Sequence, residues 1–197
     1  MDRLARHIRG DNRKLAFAFL LSMPGAPYIY YGDEIGMNYV EGLDSVEGGY
    51  GRTGSRSPMQ WDGSKNAGFS DAPAHKLYIP IDPDPDRPTV QKQMSSPDSL
   101  RSEVRKLIEI RQAHKALQSL GGIEFICDGA KGRPLAYIRS FGDESILAAV
   151  NPTDTPCALT VDGTPGEVFY SFGKGAEFSG SRCVIGAGSS VFAEIKR

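Results

Sequence analysis

The chain has 197 residues, 40% of them hydrophobic and 24% charged, which excludes a disordered polymer and leaves room for one or two globular domains. A formal net charge of −1 gives no electrostatic case for binding nucleic acid or an anionic membrane surface. Cys127, Cys157 and Cys183 stand far apart without C-x-x-C spacing, so each reads as a small buried apolar residue in a reducing, cytoplasmic compartment.

The opening "MDRLARHIRGDNRK" followed by "LAFAFLLSM" has the outline of a secretory leader. Asp2 and Asp11 interrupt its basic stretch, and Pro24 falls where cleavage needs a small residue, so the segment reads as structure. It is far shorter than the roughly 20 apolar residues that span a bilayer. Asp11 is expected to cap a helix over 12–23, closed by Met23-Pro24-Gly25. Leu15, Phe17, Phe19, Leu20 and Leu21 surround the axis of that helix, which must therefore be buried.

"PYIYYGDEIGM", residues 27–37, predicts a buried strand over 27–31 that Gly32 ends just before Asp33 and Glu34. Residues 32–95 follow as a long loop rich in glycine, proline and acids, and loops at the end of a strand usually cover or line a site. Ser96-Pro97 starts a helix over 97–117, one-sided because Leu100, Val104, Leu107, Ile108 and Arg111 recur at helical spacing. From Gly121 onward seven short strands succeed one another: "IEFIC", "PLAYIRSF", "SILAAVN", "PCALTV", "EVFYSF", "RCVIG" and "SVFAEI". "FGDES" and "VDGTPG" read as hairpin turns. The expected inward positions are Phe125, Tyr137, Ile146, Ala148, Phe169, Val184 and Phe192.

The fold class is thus α+β, divided into a segment 1–120 and an antiparallel β-sandwich 121–197 that is large enough to fold on its own scale. The first segment holds only about one and a half βα units, where a closed barrel needs eight and about 250 residues. "LSMPGAPYIYYGDEIGM" resembles the eighth-strand region of the α-amylase family of glycoside hydrolases. "GSRSPMQWDGSKNAGFS" is similar to the R-[ST]-P-M-Q-W signature of its α-glucosidase, oligo-1,6-glucosidase and trehalose-synthase branches. The resemblance implies the last strand and helices of a (β/α)8 barrel, followed by the family's C-terminal sandwich. It implies retaining hydrolysis, or transfer, of α-glucosidic bonds in short oligosaccharides. It also implies that the catalytic carboxylates belong to earlier strands, with "MDRLAR" resembling the text just after the last of them. Met1 would then be an internal methionine. On this resemblance no residue of the chain is catalytic, and the chain is a truncated portion that turns over nothing alone. A non-catalytic carbohydrate-binding or assembly module, and a truncated product without a role, are the competing readings.

Arg56 is the substrate-binding candidate: the resemblance puts it near the leaving-group sugar, and its fork of donors suits paired hydroxyls. The alternative is that it pins its own loop, on Asp33 or Glu34. Those two acids, as neighbours on an extended chain, point to opposite sides and are not expected to act as one pair. Trp61, Met59 and Tyr50 offer stacking surface for a sugar ring or a packing anchor for the loop. Asp82, Asp84 and Asp86 alternate with prolines and lack the calcium-loop pattern, so they read as solvated. His7, His75 and His114 show no metal spacing, with His114 an ordinary helix residue, and no phosphate loop is present, so neither metal nor cofactor is expected. Self-association through residues 12–37 is expected, because the Leu15–Leu21 face and the strand need cover.

Overall fold

The strands from Gly122 onward are short, rich in Val, Ile, Phe and Tyr, and broken by glycine turns, and in the computed structural model they form two antiparallel sheets. The structure describes residues 2–197, the Lys131 side chain excepted. The larger sheet has the order β1-β2-β3-β8-β5, formed by Gly122–Asp128, Leu135–Phe141, Glu144–Asn151, Ser189–Lys196 and Thr164–Phe172. The smaller has the order β4-β7-β6, formed by Cys157–Thr160, Arg182–Ile185 and Ala176–Ser179. The strand at Ala176–Ser179 has no counterpart in the sequence reading, because "AEFS" is too short and polar to stand out from its turns.

Two turns behave differently. "FGDES" closes a tight hairpin, with Phe141 paired to Glu144 and Gly142 at φ +57. "VDGTPG" is not a hairpin turn: β4 before it pairs with β7 and β5 after it pairs with β8, so the chain changes sheets there.

The central strands of the larger sheet, β2, β3 and β8, are buried on both faces. Ala136, Ile138, Leu147, Ala149, Val191 and Ile195 meet Leu159, Val161, Cys183 and Ile185 in the core between the sheets. The opposite parity carries Tyr137, Ile146, Ala148 and Phe192, all buried as well. These expected inward residues therefore lie on the face away from the second sheet, and Val184 is only half-buried while its neighbours Cys183 and Ile185 fill the core. A one-residue shift of parity exchanges the faces of a strand, and β3 and β8 are apolar at nearly every position, so alternation could not choose between them. Phe125 is 55% exposed, a correction to its inward placement, and lies edge-on to Tyr137 at 5.5 Å on the edge strand β1. Phe169 is half-buried, stacked on His114.

The chain divides into two compact units, residues 2–13 with 28–105, and residues 14–27 with 106–197. The helix α2 (Asn12–Ser22) thus contributes most of its length to the sheet unit, where Leu15, Phe17, Ala18 and Leu21 are buried. Two arginines bind that segment to the sheet through backbone carbonyls. Arg111 donates to Leu21, Met23 and Gly25, each at 2.7 Å, which satisfies one terminal carbonyl of α2 and two in the turn that follows it. Arg139, fully buried in β2, donates to Gly122 at 2.9 Å, Gln118 at 2.8 Å, Gly121 at 3.0 Å and Leu117 at 3.4 Å, and to Ser22. Tyr137 completes the joint, its hydroxyl 2.6 Å from Ser22 Oγ, which itself donates to Ala18 O. Burial pushes the Tyr137 phenol up to about 12.

The helix expected over 97–117 is shorter. α4 spans Leu100–Ala113, with Ser99 Oγ accepting from Ser102 N at 3.2 Å in place of a Ser96 cap. His114 is extended at φ −111, ψ 112, and a 3₁₀ turn at Lys115–Leu117 follows. His114 is therefore a stop rather than a helix residue: it bonds Glu144 at 2.7 Å and stacks on Phe169 at 4.1 Å. Glu144 also accepts from Ala116 N, which holds the turn.

Where the chain passes into the other unit, residues 27–30 carry no β-ladder, contrary to the strand expected over 27–31, and Tyr28 is 85% exposed. A strand needs at least one neighbour to take up its backbone hydrogen bonds, and among the described residues none pairs with it. The long segment after it is built from short pieces: α1 (Leu4–His7), 3₁₀ turns at Asp33–Ile35, Tyr50–Arg56, Lys65–Gly68 and Ala74–Lys76, and α3 (Val90–Met94). Ile35, Met37 and Met59 form its small core, with Val90 against them.

Candidate functional site

The site begins at the "GDEIG" turn. Gly32 and Gly36 sit at φ +85 and +73 and bracket the 3₁₀ turn of Asp33–Ile35. A side chain at either would be strained by the left-handed backbone, and its Cβ would also displace a neighbouring side chain, lying 2.3 Å from Met37 Sδ at Gly32 and 2.6 Å from Arg13 Nη1 at Gly36. The turn separates the two acids. Asp33 faces Arg3 at 3.6 Å, whereas Glu34 turns into a cavity. Arg3 is fully buried between the rings of Tyr30 and Tyr31, at 4.8 and 4.7 Å from their centroids, and donates to Tyr31 O. Burial raises the Asp33 carboxyl, partly offset by the Arg3 charge.

The cavity is about 410 Å³ and its wall is largely aromatic: Tyr31, Trp61, Phe69 and Tyr78. Pro58, Met59 and Ile79 close it, and Glu34 and Arg56 are its charged groups. Glu34 Oε2 is buried without a hydrogen-bond partner. Tyr31 donates to Ser57 O at 2.9 Å, which fixes the start of the "SPMQW" run, and burial pushes its phenol up to about 12.

Local backbone chemistry aims the rings. Trp61 N donates to Ala67 O at 2.8 Å across a loop in which Asn66, Ala67 and Gly68 are all left-handed, at φ +50, +56 and +70. Asn66 Nδ2 offsets that strain by donating to Ser70 O at 2.7 Å and Ala72 O at 2.8 Å. Asp62 accepts from Ser64 N at 2.8 Å, and a Cβ on Gly68 would touch its carboxylate at 2.8 Å. The result presents Trp61 and Phe69 half-exposed at the cavity mouth. Arg56 lies over Tyr78, 5.6 Å from the ring centroid, and the Tyr78 phenol is raised first by its hydrogen bond to Glu47 and then by burial.

Of the residues singled out in the sequence, the structure brings Arg56, Trp61, Met59 and Glu34 together. Among the described residues Arg56 pairs with neither Asp33 nor Glu34. Tyr50 lines none of these walls; it is exposed at φ +44, and its N–H donates to Ser45 Oγ. Asp82 is buried rather than solvated, accepting from Asn38 and from Asp84 N, while Asp84 accepts from Asp86 N as the next turn. No group of three metal-ligating side chains occurs among the described residues. His7 bonds Asp2 at 2.9 Å, and His75 is exposed in its 3₁₀ turn. Phe69, Tyr78 and Tyr31 are cavity residues that the sequence reading passed over. Aromatic rings in an otherwise polar loop were the available signal.

Comparison with known proteins follows the same residues. The alpha-amylase catalytic-domain family model matches residues 2–119. Trehalose synthase/amylase TreS of Mycobacterium tuberculosis is 35% identical over 169 residues, covering 81% of this chain and 27% of the relative. Glucan 1,6-alpha-glucosidase of Streptococcus pneumoniae is 36% identical over 176 residues, covering 75% and 32%. Oligo-1,6-glucosidase of Parageobacillus thermoglucosidasius is 30% identical, covering 73% and 30%. A solved trehalulose synthase from Pseudomonas mesoacidophila matches with a TM-score of 0.80 at 26% identity, covering 95% of this chain and 39% of that one. A variant of that enzyme in complex with its substrate sucrose matches at 25% identity with the same TM-score. The chain thus spans about a third or less of the curated relatives it resembles.

Proposed function

The chain belongs to the α-amylase family, and from that premise we propose that it supplies the closing part of a (β/α)8 barrel with an antiparallel C-terminal β-sandwich, and that its aromatic cavity holds one ring of an α-linked oligosaccharide. The carrying observation is the cavity itself. Four rings around about 410 Å³ suit the apolar faces of a pyranose, and Arg56 and the unpartnered Glu34 oxygen supply a donor and an acceptor for its hydroxyls. The relatives include glucosidases and trehalose synthases, so the parent reaction is retaining hydrolysis or transfer of α-glucosidic bonds.

Retaining chemistry needs two carboxyl groups about 5 Å apart. Glu34 is the one carboxylate in the cavity wall, and Asp33 faces Arg3 instead. This supports a role in holding the sugar, with no catalytic residue in the chain and no turnover by the chain alone. A non-catalytic carbohydrate-binding module shares the same cavity; the two readings part when the missing strands are supplied, because only the enzyme portion then gains activity.

Trp61 is the single tryptophan and lies in the wall, so its emission reports occupancy. Titration with trehalose, maltose, isomaltose and sucrose should shift it saturably, and Arg56→Ala should weaken that response. No shift with any of them removes the reading. Glucose release from maltose or isomaltose by the purified chain would overturn the assignment of no catalytic residue. Self-association belongs to the same reading: the buried Leu15, Phe17 and Leu21 do not call for it, whereas exposed Tyr28 beside an unladdered segment does. No described helix is long and apolar enough to cross a membrane. A cytoplasmic setting rests on three free thiols, two of them buried.

A further inference from the structure

A second cavity of about 340 Å³ adjoins the first through Arg56, which lines both. Its other walls are Tyr30, Glu47, Arg52 and Ser55. The 3₁₀ turn Tyr50–Arg56 brings these groups together, since residues three apart eclipse in that helix and Arg52 and Ser55 therefore share a side. The turn is pressed onto its own unit at two glycines. A Cβ on Gly54 would lie 2.1 Å from Val40 O and 2.6 Å from the Tyr39 ring, and Val40 N donates to Gly54 O at 3.0 Å. A Cβ on Gly49 would lie 2.5 Å from Thr53 Oγ1 and 3.3 Å from Arg56 Nη1. Tyr39 donates to Gly51 O at 2.9 Å, and buried Ser55 donates to Arg52 O at 2.8 Å. The guanidinium groups thus stand on a backbone that has little room to move.

The charge of the pocket is unequal. Two guanidinium groups face one carboxylate, and that carboxylate, Glu47, is engaged by the Tyr78 phenol. Among the described residues neither Arg52 nor Arg56 has a carboxylate within ion-pair distance. Paired guanidinium forks beside the Tyr30 phenol match an oxyanion with several acceptor oxygens better than they match a neutral hydroxyl, while the Ser55 proton is already given to Arg52 O.

We infer that this second cavity receives an anionic substituent, phosphate or carboxylate, on the sugar whose ring fills the aromatic cavity, so that acidic sugars are among the ligands of the site. The inference rests on the proposed reading of the aromatic cavity as a sugar site. Of the two cavities Arg52 lines only the second, and it is exposed, so Arg52→Gln isolates the anion contact.

The test is calorimetry, with Trp61 emission in parallel, on the full chain at low salt. The ligands are methyl α-glucoside, glucose 6-phosphate, glucuronic acid and inorganic phosphate. At least one acidic sugar should bind about tenfold or more tightly than the neutral glycoside, the gain of one or two charge-assisted hydrogen bonds. Arg52→Gln should abolish that advantage and leave the neutral glycoside unchanged, with circular dichroism confirming the fold. Which of the two acidic sugars is preferred tells phosphate from carboxylate. Equal binding of neutral and acidic sugars, or an advantage that survives Arg52→Gln, overturns the inference while leaving the sugar site standing. Binding of inorganic phosphate that Arg52→Gln removes, with no neutral sugar bound, supports the anion pocket and sinks the sugar reading.

Discussion

The two units of this chain hold their backbones in different ways. In the sheet unit the polar backbone is consumed by ladders, and what the ladders leave over is collected by Arg139 and Arg111. Among the described residues of the loop-rich unit there are no ladders, and order comes from left-handed glycines, side chains bonded to backbone, and a guanidinium packed between rings. Backbone groups must find partners wherever water is excluded, so a unit without sheets spends its Asp, Asn, Ser and Gln on that task. It also keeps its aromatic rings at the surface, where a ligand can reach them.

The sharpest way to break this contrast is to compare its two fully buried arginines. Arg139→Leu strands carbonyls at Ser22, Leu117, Gln118, Gly121 and Gly122, and should cost about 3–5 kcal/mol by urea unfolding. Arg3→Met should cost clearly less, because Nε and Nη2 of Arg3 already lack partners and the stacked stem is replaced. Equal costs would show that both units depend on buried guanidinium groups alike.

Alkaline titration comes next, and because the Tyr31 phenol of the loop-rich unit is also raised to about 12, a substitution at Tyr137 is needed to pick out the share of the sheet unit. Tyr137 has an ordinary phenol pKa near 10 when unfolded and about 12 when folded, so the folded state holds the proton longer and the full stability is present below about pH 10. As pH rises through 10 to 12, about 2–3 kcal/mol should be lost at this group. Tyr137→Phe should flatten that loss, at a cost of about 1 kcal/mol at neutral pH for the bond to Ser22. An unchanged alkaline limb would refute the placement of the phenol.

Gly68→Ala tests the loop-rich unit: a side chain at φ +70 against the Asp62 carboxylate should cost about 1–2 kcal/mol and blunt the Trp61 response to sugars. The smallest effect is chemical. Burial pushes the Cys183 thiol up to about 12, so at pH 8 a thiol reagent should label the half-buried Cys157 well before Cys183. Early labelling of Cys183 would mean that the inter-sheet core opens readily.

Much of this architecture was readable in advance where local chemistry repeats. The runs "LAYIRSF" and "ESILAAVN" and the glycine turn between them announce a hairpin, and α4 shows its stripe. Three misreadings share a cause. Phe125 looks inward by alternation, but β1 is an edge strand with a bulge between Phe125 and Cys127. Tyr137 and Phe192 look like inter-sheet core, but they belong to the sheet's other face. His114 continues the helical pattern, yet its bond to Glu144, thirty positions away, draws it out of the helix.

The amino-acid sequence by itself determined the family, through "PYIYYGDEIGM" and "RSPMQW", and the kinds of element, because turns and periodicities depend on neighbours a few bonds apart. Only the tertiary structure decided that Glu34 and not Asp33 enters the cavity, that Phe69 and Tyr78 join Trp61 around it, and that Arg56 stands between two pockets. Those outcomes depend on contacts between segments tens of residues apart and on which polar groups are left unpaired when the loops close. No local pattern encodes that.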